Sequence, residues 1–235
     1  LQNGMVKIET IEVFTTAIND VEADIMGKSD AHLLEIAYKV KEEYEEEYEE
    51  NPSIELQELA DKHGIVEINV VDKAGKIQAS TESGVKGYDM TTKDQSREFV
   101  DKLMVQNDFV QKYGPRGKDN TVLRKYAAVT LDIEGGGFIQ VGYDAEQFHK
   151  MLNEFVVDVT KNRHVGSGGF VAVCDDKLNL VIDNDYKGDH ISTIGISPPD
   201  EMLKGKTATK LYTADIVDGS DNYKEPYLYV FKFVD

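Results

Sequence analysis

The stretch GIVEINVVDKAG, residues 64–75, reads as a glycine that closes a helix, then a strand, then a turn. Ile65–Val71 is rich in β-branched residues, Asp72-Lys73-Ala74-Gly75 has turn chemistry, and Lys76–Thr81 is a second strand. GFVAVCDDKLN, residues 169–179, opens in the same way. Phe170–Cys174 is a strand, Asp175-Asp176-Lys177 a turn, and Leu178–Ile182 a strand. Laying one turn on the other puts Val71-Asp72 over Cys174-Asp175, an offset of about one hundred residues, too long for a solenoid repeat. The chain therefore holds two modules of one plan.

Working outward from the first turn, Thr92 to Tyr113 is mostly helical, with Phe99, Leu103 and Phe109 on its apolar side, and Gly114-Pro115-Arg116-Gly117 ends it. Arg124–Ile133 and Phe138–Tyr143 make a hairpin across Glu134-Gly135-Gly136-Gly137. Ala145–Asp158 is a helix with Phe148, Leu152, Phe155 and Val156 turned inward. In the second module an aspartate-rich loop and a short helix near Asp200–Leu203 lead to a hairpin. Its strands are Ala208–Ile216 and Pro226–Val234, joined across Asp218–Asn222. Strand, strand, helix or loop, then antiparallel strands is an α+β plan with mainly antiparallel sheets. The glycine-rich segment 160–169 separates the modules.

Upstream lies a helix. Ile11, Phe14, Ile18, Val21 and Ile25 share one face, and the spacing resumes at Leu33, Ile36, Ala37, Val40, Tyr44 and Tyr48. Gly27-Lys28-Ser29 leaves two readings: one long helix, which we favour, or two helices with a fresh cap at Ser29 or Asp30. The acidic run Glu42–Glu50 is a solvated face, and Asn51-Pro52 ends the helix. Ser53 caps a short helix, Ile54–Lys62, closed by Gly64. The division expected is residues 1–50, 51–159 and 160–235.

The chain has 235 residues, 44 acidic against 26 basic, and a formal charge of −18. Such a surface repels phosphate backbones, which argues against nucleic-acid binding. A single cysteine, Cys174, allows no intrachain disulfide, and as part of a strand it reads as a buried structural thiol. No apolar run of 18 residues and no signal peptide is present. Beginning at Leu1 and stopping at Asp235 after a strand-like run, the chain reads as a soluble piece of a longer protein.

The long helix, GIVEINVVDKAG, Gly87-Tyr88-Asp89-Met90, Phe138–Asp144 (FIQVGYD) and Gly169–Asp175 (GFVAVCD) together resemble the double Cache sensor region of bacterial transmembrane receptors with histidine kinase, cyclic-nucleotide or serine-phosphatase outputs. The resemblance implies PAS-like modules on the extracytoplasmic face of the membrane: a helical stalk over residues 1–50, a membrane-distal module that usually holds the ligand, and a membrane-proximal module. It also implies membrane anchoring in the full-length protein, a homodimer through the long helix, and a last strand and helix beyond Asp235. The amino-acid-binding branch uses tryptophan in its distal module. This chain has none, so an amino-acid ligand is not supported.

No positioned catalytic set is legible. The five histidines are scattered, and no H-E-x-x-H spacing occurs, so neither an enzyme, a metal nor a cofactor is expected. Gly135–Gly137 and Gly166–Gly169 precede strands and read as turns, not phosphate cradles. Asp183-Asn184-Asp185-Tyr186-Lys187-Gly188 begins like a calcium loop, but Lys187 and Ile194 occupy ligand positions. The candidate ligand site is the basic and phenolic cluster of the first module: Arg97, Tyr113, Arg116, Lys125, Tyr126 and Tyr143, with Arg124 beside it. Arginine forks suit carboxylates, so a small anion is among the candidates. The competing readings are cations paired with surface acids and a ligand-free structural or dimerising ectodomain. In the second module Tyr186, Asp183, Tyr212 and Asp215 lie where a comparable pocket would open, but the polar loop there reads better as the cap of a sheet edge.

Overall fold

The structure is a computed structural model and describes residues 2–50, 55–116, 122–161, 163–165, 169–175, 177–181, 188–194, 196–198, 200–204, 208–218 and 221–231. Helix α1, Gln2–Glu50, is continuous through Gly27. That settles the choice between one helix and two. The chain forms two compact units: residues 27–152, and residues 1–26 with 153–235.

In the unit of residues 27–152, the stripe Leu33, Ile36, Ala37, Val40 and Tyr44 of α1 is buried, at the three-and-four spacing of one helical face. Helix α2, Leu56–His63, ends at Gly64 in the left-handed conformation. Ser53, expected as its cap, lies outside the described residues. Strand β1, Glu67–Val71, is buried at every position. Strand β2, Ile77–Ser80, pairs antiparallel with it. A 3-10 turn, Met90–Thr92, precedes helix α3, Asp94–Leu103.

Two segments depart from the sequence reading. The helix expected over Thr92–Tyr113 stops at Leu103, and Phe109 lies on strand β3, Asp108–Val110. Gly114–Arg116, expected only as a helix terminator, is strand β4. Both pair with strand β5, Val122–Thr130, along one edge. The backbone groups on that edge need partners, and two short strands supply them where a helix could not. Pro115, which cannot donate, sits on this edge. Strand β6, Phe138–Asp144, joins β5 to β1 antiparallel on both sides. The six-stranded sheet runs β2-β1-β6-β5-β3, with β4 also on β5. Helix α4, Ala145–Thr160, follows.

The sheet's two faces differ. Val71, Ala128 and Phe138 pack with Ile77, Met90, Phe99 and Val100, so α3 and the 3-10 turn cover one face. By strand alternation Ile68, Val70, Ala127, Val129, Ile139 and Val141 point the other way, all buried. Helix α1 lies there: Lys125 Nζ is 2.5 Å from Asp30 Oδ1, Lys41 Nζ is 2.5 Å from Asp132 Oδ2, and Tyr38 donates to Asp108 at 2.6 Å.

In the other unit, Arg163 Nη2 donates to Asp24 Oδ2 at 2.6 Å. Short strands β7, His164–Val165, and β8, Gly169–Phe170, pair antiparallel. Of the strands expected over Phe170–Cys174 and Leu178–Ile182, the described residues show Phe170 on β8 and isolated bridges between Cys174 and Leu180 and between Asn179 and His190, while Ile182 lies outside the described residues. A 3-10 turn at Ile191–Ile194 and helix α5, Asp200–Leu203, precede a hairpin of strands β9, Ala208–Asp218, and β10, Asp221–Phe231. Its second strand starts earlier than Pro226, because Asp221–Glu225 continue the ladder against β9.

The repeat of plan holds at the level of single hydrogen bonds. Asp72 Oδ1 accepts from the amides of Ala74 and Lys76, each at 2.9 Å. Asp175 Oδ1 accepts from those of Lys177 and Asn179, at 2.9 and 2.8 Å. Downstream, Ile77 N donates to Tyr88 O and Met90 N to Gly75 O, while Leu180 N donates to Asp189 O and Ile191 N to Leu178 O. Gly75 and Leu178 are thus equivalent, and both adopt positive φ, 81° and 64°. Leu178 is the one described non-glycine residue that does so. Side-chain caps correspond as well: Asp89 Oδ1 accepts from Thr91 N at 2.9 Å, and His190 Nδ1 accepts from Ser192 N at 3.2 Å.

A methyl group on Gly75 would lie 2.9 Å from Val100 Cγ2 at a φ that L-residues avoid. Gly75→Ala is therefore expected to destabilise by about 1–3 kcal/mol. Gly27→Ala, in open space on α1, should stabilise by about 0.5–1 kcal/mol. Urea unfolding of the two variants checks both signs.

Candidate ligand-binding site

Alternation along β5 separates residues that are adjacent in sequence. Arg124, Tyr126 and Ala128 share the α3 face, whereas Lys125 and its cross-strand partner Tyr143 share the α1 face. Lys125 is 1% exposed, ion-paired with Asp30, and its Nζ stands 5.6 Å from the centre of the Phe148 ring. Tyr113 stacks on that same ring at 4.2 Å and 18°. Tyr113, Lys125 and Tyr143 therefore belong to the packing behind the sheet and not to a pocket under α3.

Arg97 is spent locally: its Nε and Nη2 donate to Thr91 O at 2.8 and 2.6 Å, bracing α3 on the 3-10 turn. Arg116 donates to Pro115 O at 2.9 Å and to Lys112 O, leaving Nε buried without a partner. Burial lowers its pKa, and the charges of Glu98 and Tyr126 oppose that shift. Of the six expected residues, the structure brings Arg116 near Tyr126, gathers Tyr113, Lys125 and Tyr143 separately around Phe148 and the back of β5, and leaves Arg97 on the 3-10 turn.

Around Tyr126 lies a network that the sequence reading missed. Tyr126 donates to Glu67 Oε2 at 2.6 Å. Asn69 Nδ2 donates to Glu67 Oε1 at 2.7 Å and to Gln140 Oε1 at 2.9 Å. Glu67, Asn69 and Gln140 are all buried, and they meet because β1 pairs Glu67 with Gly142 and Asn69 with Gln140. Arg124 Nε is 3.7 Å from Glu67 Oε2. At the edge, Gln111 Nε2 donates to Glu98 Oε2 at 2.9 Å. The legible signal was E-I-N-V at residues 67–70: polar residues at alternate positions of a strand flanked on both sides.

The Tyr126 ring lies across Gly142, where any Cβ would be 2.5 Å from Cε1, and it meets Phe99 edge-on with centroids 6.4 Å apart. Burial first, then the charge and hydrogen bond of Glu67, push the phenol pKa upward, so it donates and does not ionise. Burial, the Glu67 charge and a hydrogen bond with Glu67 also raise the carboxyl of Glu82 above the usual range. The unmet demand is specific. With both Nδ2 contacts on acceptors, Asn69 must turn Oδ1 away from them, and that oxygen is buried without a donor.

Two clefts lie elsewhere in this unit. One, of about 460 Å³, is lined by Lys73, Val100, Leu103, Thr130 and Phe138, among others. A second, of about 430 Å³, is lined by Tyr38, Lys41, Glu42, Glu45, Glu46 and Asp132. Neither includes a residue of the Glu67 network. Gly135–Gly137 form a turn, with Gly136 N donating to Ile133 O at 2.9 Å. Cys174 packs on Leu180, Ile191 and Ile196, and burial, then the Asp175 charge, push its thiol up to about 11, which suits a structural role. Among the described residues no group of three His, Cys, Asp or Glu side chains could hold a metal ion. Residues 183–187 of the calcium-like loop, with Asp183 and Tyr186, lie outside the described residues, as do residues 166–168 and the side chains of Tyr212 and Asp215.

No family model matches the chain, and no characterised protein sequence matches it. Among solved structures it is similar to the ligand-binding domain of the Campylobacter jejuni chemoreceptor Tlp3 in complex with 4-methylisoleucine, at 12% identity and TM-score 0.43, covering 86% of this chain and 81% of that one. It is also similar to the sensor domain of the Vibrio cholerae histidine kinase DctB, at 12% identity and TM-score 0.42, covering 76% and 67%. A third similarity is to an extracellular ligand-binding receptor from Desulfohalobium retbaense, at 13% identity and TM-score 0.38. It covers 85% of this chain but 35% of that receptor.

Tyr126→Phe removes the hydroxyl from a buried carboxylate and is expected to destabilise by about 1.5–3 kcal/mol, the range for hydrogen bonds to charged groups. Tyr88→Phe, on an exposed side chain whose contacts are 3.4 Å long, is the matched control and should change the urea midpoint little.

Proposed function

We propose that this chain is the extracytoplasmic sensor region of a bacterial membrane receptor, of the double Cache type, which binds a small molecule and converts none. The observation that carries the reading is the combination of a doubled strand–turn–3-10 plan with a long N-terminal helix. Within the first unit, the sheet carries a buried polar network of Glu67, Asn69, Tyr126 and Gln140. In this reading residues 51–159 are the membrane-distal module and residues 160–235 the membrane-proximal one. Helix α1 is the stalk and the homodimer contact. None of the helices in the described residues is long and apolar enough to cross a membrane, so the anchor would lie in other parts of the full-length protein.

Signalling follows from differential affinity. The ligand must favour one arrangement of the module, and a coupling of about 1–3 kcal/mol suffices for a receptor. Helix α1 is the transmission element because Asp30, Tyr38 and Lys41 tie it directly to β5, β3 and the β5–β6 loop. A ligand that shifts β5 would act on the same helix. A helix displacement of about 1–2 Å is an established form of switching.

Thermal unfolding of the chain in the presence of pooled small amines, carboxylates, sugars and nucleobases tests the reading. A ligand at about 100 times its Kd contributes about 2.7 kcal/mol to the folded state, which is a rise in Tm of about 5–10 °C for a protein of this size. A full-length protein without membrane segments, or a chain that no pool stabilises, would sink it.

A further inference from the structure

The ladder between β1 and β2 runs on beyond the end of β2. Asn69 faces Ser80 and Val70 faces Ala79. Thr81 N then donates to Ile68 O at 3.1 Å, and Ile68 N donates to Thr81 Oγ1 at 3.0 Å, so Ile68 faces Thr81. The next pair in this register is Glu67 with Glu82, two acids directly opposite on the face that carries Asn69 and Val71. Like charges in that position repel. Glu67 is 6% exposed and already accepts from Asn69 and Tyr126, which makes it the acceptor of the pair. Glu82 is exposed, its amide donates to Ser80 Oγ at 2.9 Å, and its side chain hydrogen-bonds Glu67. A bond between two carboxyl groups needs a proton, and Glu82, open to solvent, is the group that carries it. Facing the pair from β5 are Arg124, 3.7 Å from Glu67, and the Tyr126 phenol. Beyond Tyr126 stand Arg116 of β4 and Glu98 of α3.

We propose that Glu82 and Glu67 form a proton-operated latch on the sheet edge, closed while Glu82 donates to Glu67 and opened when that proton leaves to solvent and the two carboxylates repel. A proton needs no cavity to reach an exposed carboxyl. The latch acts on a weak place, since β2 is an edge strand held in the sheet by β1 alone. Opening leaves Glu67 its bonds from Asn69 and Tyr126, so the network under α3 stays whole while the end of β2 is released. Burial, then the Glu67 charge and hydrogen bond, raise the Glu82 carboxyl above the usual range, and Arg124 opposes the shift. The proton therefore binds the folded chain more tightly than the unfolded one. Its stabilisation is fully present below the ordinary glutamate pKa of about 4.3 and is lost as pH rises through the raised value.

Urea unfolding of the 235-residue chain and of Glu82→Gln, followed across pH, tests the latch. The glutamine amide donates to Glu67 at every pH, so the two midpoints should agree at about pH 4 and the variant's should be the higher at about pH 8. Acids whose pKa values are lowered, Glu35, Glu43, Asp89 and Asp175, are present in both proteins and cancel in the difference. Glu82→Ala removes the bond and the repulsion together. It should fall below the parent at about pH 4 and draw level with it or pass it at about pH 8. Hydrogen exchange at the Thr81 amide reads the edge itself: corrected for intrinsic rate, its protection should fall with rising pH in the parent and stay constant in Glu82→Gln. A separation of midpoints that does not grow with pH, or Thr81 protection independent of pH in the parent, overturns the proposal.

Discussion

Burial of β1 on both faces is the constraint from which the rest follows. All five of its residues are buried, with β2 on one edge, β6 on the other, α1 behind and α3 in front. A strand so placed cannot hand its polar side chains to water, so Glu67 and Asn69 must be satisfied by neighbours. The neighbours are Gln140 across the ladder and Tyr126 one strand further on. Gly142 lies between them because the tyrosine ring needs its space. The network is thereby a product of register: a shift of one residue in β6 would turn Gln140 to the other face.

The same alternation puts a second polar anchor behind the sheet. Lys125 is buried against Phe148 and paired with Asp30, which lies on α1 and is about half exposed. Because the lysine stem packs in the core while its charge reaches the helix, β5 presents Tyr126 to the front and Lys125 to the back. Front and back are thus joined by a single peptide unit. In the proposed receptor that gives a short mechanical route from guest to helix, without any chain of remote contacts.

The two turns at Asp72 and Asp175 show how one local design tolerates different residues. Each aspartate gathers two backbone amides, and the turn position between them takes positive φ. Gly75 meets that demand without strain and makes room for Val100, whereas Leu178 accepts a conformation costing roughly 1–2 kcal/mol for an L-residue. Leu178 packs against Leu180, Ile191 and Ile196, so burial of its side chain offsets the backbone cost.

The amino-acid sequence by itself determined the α+β plan, its repetition and the helical rod, because those depend on local periodicity and turn chemistry. Asp72 and Asp175, the apolar stripe of α1 and the strand at residues 65–71 could all be read from neighbours in the chain. It also identified Tyr126 and Arg116 as members of a polar region. Tertiary structure decided which of the basic and phenolic residues share a face, since Lys125 and Tyr126 are adjacent in sequence and opposite in space. It decided, too, that Phe109 and Arg116 lie on strands, because the open edge of β5 needed hydrogen bonds that no local preference records. Above all it decided that Glu67 and Asn69 are interior, since burial of a polar residue is a property of what packs around it.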